Sequence, residues 1–237
     1  MATLVGLAFM RVGAVAARPR ESPLESLVGG LSFVRAQSII LVLLSMDSAA
    51  TLFGSYRTLL PIFAIEVLNV GAEGMGLLMS APAVGSLLGV ALMMSLGNVR
   101  YKGFWVAGAI LAYCASLLMV AASPWFVLSI VAAGLLGLFD SMQMVPRNGL
   151  IQAITPDELR GRVSSFQSML TGGVPSLGQT TSGALAQALG APLALIVGAA
   201  ACIATIAGLL TVRPDLRERD VGDEYLPSPE SRALSEA

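Results

Sequence analysis

The stretch FWVAGAILAYCASLLMVAASPWFVLSIVAAGLLGLFDSMQMV, residues 104–145, decides the fold class, because Asp140 is its only charged residue. A helix needs about 20 mainly apolar residues to cross the ~30 Å hydrocarbon core of a bilayer. The stretch is long enough for two such crossings, and Ser123-Pro124 supplies a turn between them. It therefore predicts two consecutive transmembrane helices.

The composition of the whole chain agrees with a membrane protein. Of its 237 residues, 55 % are hydrophobic and 12 % are charged, against about 25 % charged in ordinary soluble domains. The mean hydropathy is +0.78. The chain has no His, which excludes His-ligated metal sites and His-based catalysis. Cys114 and Cys202 both lie in apolar runs, where we expect buried small hydrophobes rather than a disulfide or a reactive pair.

Six stretches in total meet the length requirement for a transmembrane helix. They predict an all-α membrane protein whose residues 38–212 form a bundle of six transmembrane helices. The predicted spans are Ser38–Leu68, Gly74–Leu96, Phe104–Ala122, Trp125–Val145, Val163–Leu189 and Pro192–Val212.

A shorter apolar run occupies residues 2–17 and ends in Arg18-Pro19-Arg20. A signal peptide is one interpretation, because residues 14–17 suit a cleavage site. In a signal peptide, however, the cations precede the apolar part, whereas here Arg11 lies inside the run and Arg18 and Arg20 follow it. We therefore predict that residues 1–17 are a partial transmembrane helix.

The cations predict the orientation of the spans, because they fall on alternate sides and the intervening loops contain no Lys or Arg. The positive-inside rule places the basic segments and the C-terminus in the cytoplasm, with the chain in the plasma (inner) membrane. Arg57, within the first span, is the exception. The basic residues that form this pattern are Arg18, Arg20, Arg35, Arg100, Lys102, Arg147, Arg160, Arg162, Arg213, Arg217 and Arg219.

Two flanking segments are predicted to be cytoplasmic. In residues 18–37, Leu24, Leu27, Leu31 and Val34 recur at spacings of three, four and three. This stripe fits an amphipathic helix on the inner membrane surface, and a generic linker is the equal alternative. Residues 213–237 are polar, acidic and contain Pro, which predicts a disordered tail.

Asp47 is the first candidate for a role in mechanism, because a charged group inside a membrane span usually faces the bundle interior or a wet cavity. It lies about ten residues into the first span, roughly 15 Å from its start. Asp47, Thr51, Gly54 and Thr58 share one helical face, which predicts a cavity-lining stripe. The alternative is a structural Asp held by neighbouring hydroxyls and backbone.

A second polar stripe, Asp140, Gln143 and Arg147, lies in the fourth span at spacings of three and four. Asp140 is a candidate to bind and release a proton or to pair with a cation from another helix. For Arg147 we prefer the simpler expectation that it snorkels to the lipid headgroups. Arg57 and Glu66 are expected to pair, to line an outer vestibule or to reach water, near a bend at Pro61.

The fifth span is unusually polar for a transmembrane helix, with Gln, Ser and Thr residues around Gly172, Gly173 and Pro175. Polar backbone at membrane depth is tolerated where it is buried or lines water. We therefore expect this span to line a polar path through the bundle, with Gln179 as its foremost hydrogen-bonding contact. In the second span, by contrast, Ala81, Gly85 and Gly89 repeat every four residues and predict close helix packing.

Thr155-Pro156-Asp157-Glu158 has the pattern of a capping box and predicts the start of a cytoplasmic helix at this point. Arg160 and Arg162 follow it at headgroup level. The chain contains no Walker A motif, no Gly-rich dinucleotide fingerprint and no metal-ligand cluster. It therefore carries no ATPase of its own, and we expect neither a cofactor nor a metal.

The loop from Gln152 to Val163, with Pro156, Asp157, Arg160, Gly161 and Arg162 at its centre, resembles the loop between helices ten and eleven of major facilitator superfamily transporters. It is most similar to the enterobactin-exporter and macrolide-efflux branch. The segments 31–35 and 59–74 are similar to that branch as well. The resemblance extends from Leu24 to Asp220. The loop 97–103 departs from the family pattern, because it keeps basic residues but lacks the acidic residue of the family's loop motif.

The resemblance implies the C-terminal half of a twelve-helix fold, helices seven to twelve, with residues 1–17 as the end of helix six. It implies proton-coupled efflux of small amphipathic molecules, such as drugs or siderophores, by alternating access. The implied partners are the lipid bilayer, a small-molecule substrate, the proton and an N-terminal six-helix half, with no nucleic acid. Asp47, Thr51, Arg57, Asp140, Gln143 and Gln179 are the candidate pathway residues.

Two other functions compete with a transporter half. One is a truncated or non-transporting membrane subunit that pairs with a separate transporter half. The other is an intramembrane enzyme, which would need a positioned nucleophile and base. No His, Cys or paired-carboxylate arrangement in the sequence offers one, so we do not expect an enzyme.

Overall fold

The computed structural model describes residues 31–32, 34–35, 37–97 and 102–212. The predicted partial helix 1–17, most of the segment 18–37 and the predicted tail 213–237 lie outside this range. Within it, all regular secondary structure is helical. The helices are α1 (Ser38–Phe53), α2 (Leu59–Glu66), α3 (Ala72–Leu96), α4 (Lys102–Ala122), α5 (Phe126–Ile154), α6 (Asp157–Leu189) and α7 (Ala191–Val212).

Four of the described helices are long and apolar enough to cross a membrane, by length and composition. They are α3, α4, α5 and α7, and they match the second, third, fourth and sixth predicted spans. The all-helical, multi-pass membrane architecture is therefore confirmed. The other two spans, and with them the count of six, stay a prediction: α6 is long but polar, and the first predicted span is broken into α1 and α2.

The break in the first span is a turn rather than the expected bend at Pro61. α1 ends at Phe53, and α2 begins at Leu59 after a turn in which the Leu59 and Leu60 amides both donate to the Tyr56 carbonyl at 2.9 Å. Pro61 is the third residue of α2. It is accommodated there because the first amides of a helix have no intrahelical partner to lose.

α5 packs closely against both α3 and α4. α3 and α5 meet through backbone. A Cβ at Gly85 would overlap the Gly134 carbonyl, and a Cβ at Gly137 would overlap the Pro82 carbonyl. The Ser86 hydroxyl also donates to the Gly137 carbonyl at 3.2 Å. We call this contact the glycine seam, and it confirms the packing role predicted for Ala81, Gly85 and Gly89.

The end of the bundle where α5 ends and α6 begins holds a smaller apolar cluster. Val34 is fully buried there among Ile40, Leu44, Ile151 and Val163. This part of the predicted amphipathic segment therefore packs on α1, α5 and α6. Leu24 and Leu27, the other half of the stripe, lie outside the described residues.

α6 begins where the capping-box pattern predicts, but the cap is different. Pro156 occupies the N-cap position and no side chain caps the helix. The Thr155 hydroxyl donates to the Ile151 carbonyl in α5 instead, at 2.6 Å. The predicted capping role of Thr155 is therefore wrong. Asp157 and Glu158 in the first turn still complement the helix dipole.

Candidate functional site

A buried ion pair joins α1 to α5. The Arg147 guanidinium contacts the Asp47 carboxylate, and the two side chains are only 3 % and 9 % exposed. The expectation that Arg147 snorkels to the headgroups is therefore wrong. α5 continues for seven residues beyond Arg147, about 10 Å of helix, and the side chain faces α1 rather than lipid.

Gln143 connects this ion pair to the second carboxylate. Its amide nitrogen donates to Asp47 and to Asp140, both at 3.2 Å, and its amide oxygen accepts from Arg147 at 3.3 Å. Asp140, Gln143 and Arg147 lie on one face of α5 because their spacings of three and four bring them together. The predicted stripe therefore contacts Asp47 across the helix interface.

The hydrogen bonds continue from Arg147 to α6. Arg147 Nε donates to the Asn148 side-chain oxygen at 3.4 Å, and Gln167 Nε2 donates to the same oxygen at 2.7 Å. We call the six side chains the polar network, and they tie α1, α5 and α6 together. Its members are Asp47, Asp140, Gln143, Arg147, Asn148 and Gln167.

Asn148 is a member that sequence reasoning missed, and no periodicity points to it. Gln167 was visible only as one of many polar residues in the fifth span. Its reach to α5 depends on how α6 is rotated, which the sequence of α6 alone does not fix.

The charges in the polar network do not balance when every group is ionised. Asp47 and Asp140 contribute two negative charges and Arg147 one positive charge. Arg147 forms its ion pair with Asp47. Asp140 is partly buried and has no ion pair among the described residues, although the charges of Asp47, Arg147 and Arg57 all act on it. The network therefore contains one carboxylate more than it has cations.

The predicted cavity-lining stripe on α1 is interrupted. The Thr51 hydroxyl donates to the backbone carbonyls of Asp47 and Ser48, at 2.9 and 3.2 Å, and not to a carboxylate. Thr58 lies beyond the end of α1 at Phe53, so it does not continue the face of Asp47. Asp47 is thus held by Arg147 and Gln143 rather than by neighbouring hydroxyls.

Tyr113 of α4 stabilises the break between α1 and α2. Its hydroxyl donates to the Gly54 carbonyl at 2.6 Å, and a Cβ at Gly54 would press against the Tyr113 ring. The Tyr113 ring also meets the Tyr56 ring edge-on, with centroids 6.2 Å apart. The Arg57 guanidinium lies 5.9 Å from the centroid of the Tyr56 ring. An aromatic pair and one cation therefore surround the irregular backbone.

The remaining predicted pathway residues lie apart from the polar network. Arg57 and Glu66 are both exposed, and no ion pair joins them in the described part of the chain. Gln179 is exposed on α6, next to Gly178, which packs against the Thr51 and Leu52 carbonyls. Gln179 is therefore on an open face of the bundle and does not join the buried cluster.

The loop motif is also separate from the network. Arg160 pairs with Asp157 at 2.8 Å, but both side chains are more than half exposed. Pro156 and Gly161 are exposed as well, and Arg162 is half-buried. An exposed pair of this kind contributes at most about 1 kcal/mol to stability, so the motif is a surface feature of the start of α6.

Comparison with known proteins agrees with a transporter. The family model for the Major Facilitator Superfamily matches residues 38–235. Enterobactin exporters EntS from Escherichia coli O1:K1 / APEC, Escherichia coli O139:H28 (strain E24377A / ETEC) and Shigella boydii serotype 18 (strain CDC 3083-94 / BS512) are each 23 % identical over 149 residues. The match covers 63 % of this chain and 36 % of each relative. No solved structure matches the chain significantly.

Proposed function

The chain belongs to the major facilitator superfamily, and we propose that it is the C-terminal half of a transporter that exports small amphipathic molecules in exchange for protons. The proposed substrate classes are drugs and siderophores, because the relatives are enterobactin exporters. The half works by alternating access together with an N-terminal six-helix half, and the substrate binds near the midplane between them.

The single observation that carries the proton coupling is the surplus carboxylate of the polar network. A net charge in a low-dielectric interior is costly, and one proton neutralises the set formed by Asp47, Asp140 and Arg147. Asp47 already has Arg147 as its ion-pair partner. The proton therefore goes to Asp140, whose one hydrogen-bond partner among the described residues is the Gln143 amide.

A proton on Asp140 changes what Gln143 does. With both carboxylates ionised, the Gln143 amide nitrogen is shared between Asp140 and Asp47. Protonation weakens the bond to Asp140, because a neutral carboxyl is a poorer acceptor than a carboxylate. Gln143 then hydrogen-bonds only to Asp47 and Arg147, and this tightens the contact of α1 with α5. In this mechanism, protonation of Asp140 changes how α1 packs against α5.

The membrane orientation is part of the same proposal. The basic loops favour a cytoplasmic location for the C-terminus and for the ends of the spans that hold Arg147 and Arg160. Asp140 then lies in the cytoplasmic half of its span. It is accessible to protons from one side at a time when the two halves rock about the substrate site.

Transport by the assembled protein tests the proposal. The chain is co-expressed with an N-terminal six-helix half, and efflux of fluorescent amphipathic dyes from everted vesicles is recorded with and without a proton gradient. We expect Asp140→Asn to abolish the gradient-driven component and Asp157→Asn, a change at an exposed carboxylate, to leave it intact. Gradient-driven efflux that survives both Asp140→Asn and Asp47→Asn would exclude these carboxylates from the mechanism.

The same assay addresses the competing function. A non-transporting subunit would join the N-terminal half in a stable complex, yet dye efflux would stay at the level of empty vesicles for every substrate. That result would contradict the transporter proposal.

A further inference from the structure

A cleft of about 250 Å³ opens between the helix break and α3. Tyr56, Arg57 and Leu60 line one side of it, and Met79, Pro82 and Ser86 line the other. The cleft thus combines a cation, an aromatic ring and apolar walls. None of its residues belongs to the polar network.

The depth of the cleft separates it from the headgroup level. Met79 and Ser86 follow the start of α3 by seven and fourteen residues, about 10 and 21 Å along the helix axis. The hydrocarbon core is about 30 Å thick, so these residues lie in its middle region. A lipid headgroup at the surface does not reach this depth without deforming the bilayer.

Arg57 brings an unbalanced charge to this depth. It forms no ion pair among the described residues, and Asp140 acts on it only through longer-range electrostatics. A charged side chain in a membrane span is costly and marks a functional site by default. The planar guanidinium presents a fork of donors that matches a carboxylate, phosphate or sulfonate. An anionic ligand would offset the cost of holding the charged Arg57 in the span and would match the donor geometry of its guanidinium.

We propose that the cleft binds the anionic end of an amphipathic molecule that carries an aromatic ring, with Arg57 as the residue that selects the charge. The inference rests on the proposed transport function, because it names the substrate class. The cleft is slightly smaller than the ~300–1,000 Å³ of typical small-molecule sites. It therefore holds one end of the molecule, with the ring against Tyr56 and Pro82.

Ser86 does not compete with Arg57 as a donor to an anion. The Ser86 hydroxyl proton is already donated to the Gly137 carbonyl, so its oxygen is left as an acceptor and offers nothing to an anion. The other polar side chain in the lining, Tyr56, is an uncharged hydroxyl, so the guanidinium is the group that distinguishes an anion from its neutral analogue by charge.

Equilibrium binding to the purified full chain in nanodiscs of phosphatidylcholine tests the inference. The probes are radiolabelled naphthalene-2-carboxylate and its neutral methyl ester. We expect Arg57→Gln to weaken binding of the carboxylate about tenfold or more and to leave the ester within twofold. Arg57→Lys keeps the charge but lacks the forked donors of the guanidinium. We expect it to bind the carboxylate more weakly than the unmodified chain and more tightly than Arg57→Gln. Arg160→Gln, at an exposed cytoplasmic arginine, is the matched control and leaves both probes unchanged.

Three results would overturn the inference. The first is unchanged carboxylate binding in Arg57→Gln, and the second is an equal loss for the acid and the ester. The third is displacement of the carboxylate when phosphatidylglycerol replaces part of the phosphatidylcholine, which would identify a lipid headgroup as the occupant. Should Arg57→Gln fail to fold by circular dichroism, Ala83→Leu fills the cleft from α3 with Arg57 intact. It must weaken both probes, and unchanged binding would again contradict the site.

The binding assay needs neither a partner half nor a proton gradient, so it separates the two proposals. Arg57-dependent binding without any efflux supports the site and contradicts the transport function. Gradient-driven efflux of aromatic anions that is unaffected in Arg57→Gln supports the transport function and contradicts the site.

Discussion

The two sides of α5 are joined to their neighbours by opposite means. Toward α3, the glycine seam brings backbone against backbone, and a single added methyl group has no room at Gly85 or Gly137. Toward α1 and α6, the polar network holds the helices through charges and side-chain amides, with Arg147 on Asp47 at its centre. A close-packed seam has one arrangement, whereas a network with a surplus carboxylate changes with protonation. We therefore expect α3 and α5 to stay packed together and any rearrangement to occur where α5 meets α1 and α6.

The seam is expected to show the largest effect of substitution. Gly137→Ala places a Cβ on the Pro82 carbonyl, so α3 and α5 must separate along their length, and we expect a loss of more than about 3 kcal/mol in the free energy of unfolding. Gly149→Ala, on the same helix but with open space around its Cβ, is the matched control. It should stabilise the chain by about 0.5–1 kcal/mol. Unfolding in mixed micelles gives both values, and equal effects at the two positions would contradict the seam.

The ion pair comes next in expected size. Arg147→Met leaves Asp47 buried without its cation, which costs about 3–5 kcal/mol when a buried pair is broken from one side. Adding Asp47→Asn removes the orphaned charge, so the double variant should recover most of that loss. The same unfolding measurement on both single variants and the double variant gives the coupling between the two residues. Additive effects would mean that Asp47 and Arg147 do not interact, against the network as described.

A smaller effect is expected at the helix break, which lies between the two regions. Tyr113→Phe removes the donor to the Gly54 carbonyl and leaves a buried acceptor unsatisfied, which costs about 1–3 kcal/mol. Ser116→Ala on the same helix removes only a bond to the carbonyl four residues earlier and should cost less. Amide hydrogen exchange of residues 54–60 should quicken in Tyr113→Phe alone. Unchanged exchange there would show that the break does not depend on Tyr113.

Features that depend on length and local spacing were predictable from the sequence. Residues 104–145 give α4 and α5 because about 20 apolar residues suffice for one crossing. The repeat of Ala81, Gly85 and Gly89 indicates a close contact because side-chain size limits how near two helices come. The sequence does not name the partner helix, however, and Gly134 and Gly137 of α5 were identified only in the structure.

The polar network was less predictable because its contacts are long-range. Asp47 and Gln143 are separated by 96 positions, and each was placed on a helix face without its partner. Arg147 was expected to snorkel because a linear sequence gives its depth near the end of a span but not the direction of its side chain. The break at Gly54 was missed since Pro61 is the more obvious helix breaker, yet a proline in the first turn of α2 is tolerated.

The central claim is that a proton enters the polar network at Asp140 while Asp47 stays paired with Arg147. Infrared difference spectroscopy between neutral and acidic pH detects it directly, through the carbonyl stretching band of a protonated carboxyl group in the buried interior. We expect this band to appear in the unmodified chain and in Asp47→Asn, and to be absent in Asp140→Asn. A band that is lost in Asp47→Asn and kept in Asp140→Asn would contradict it.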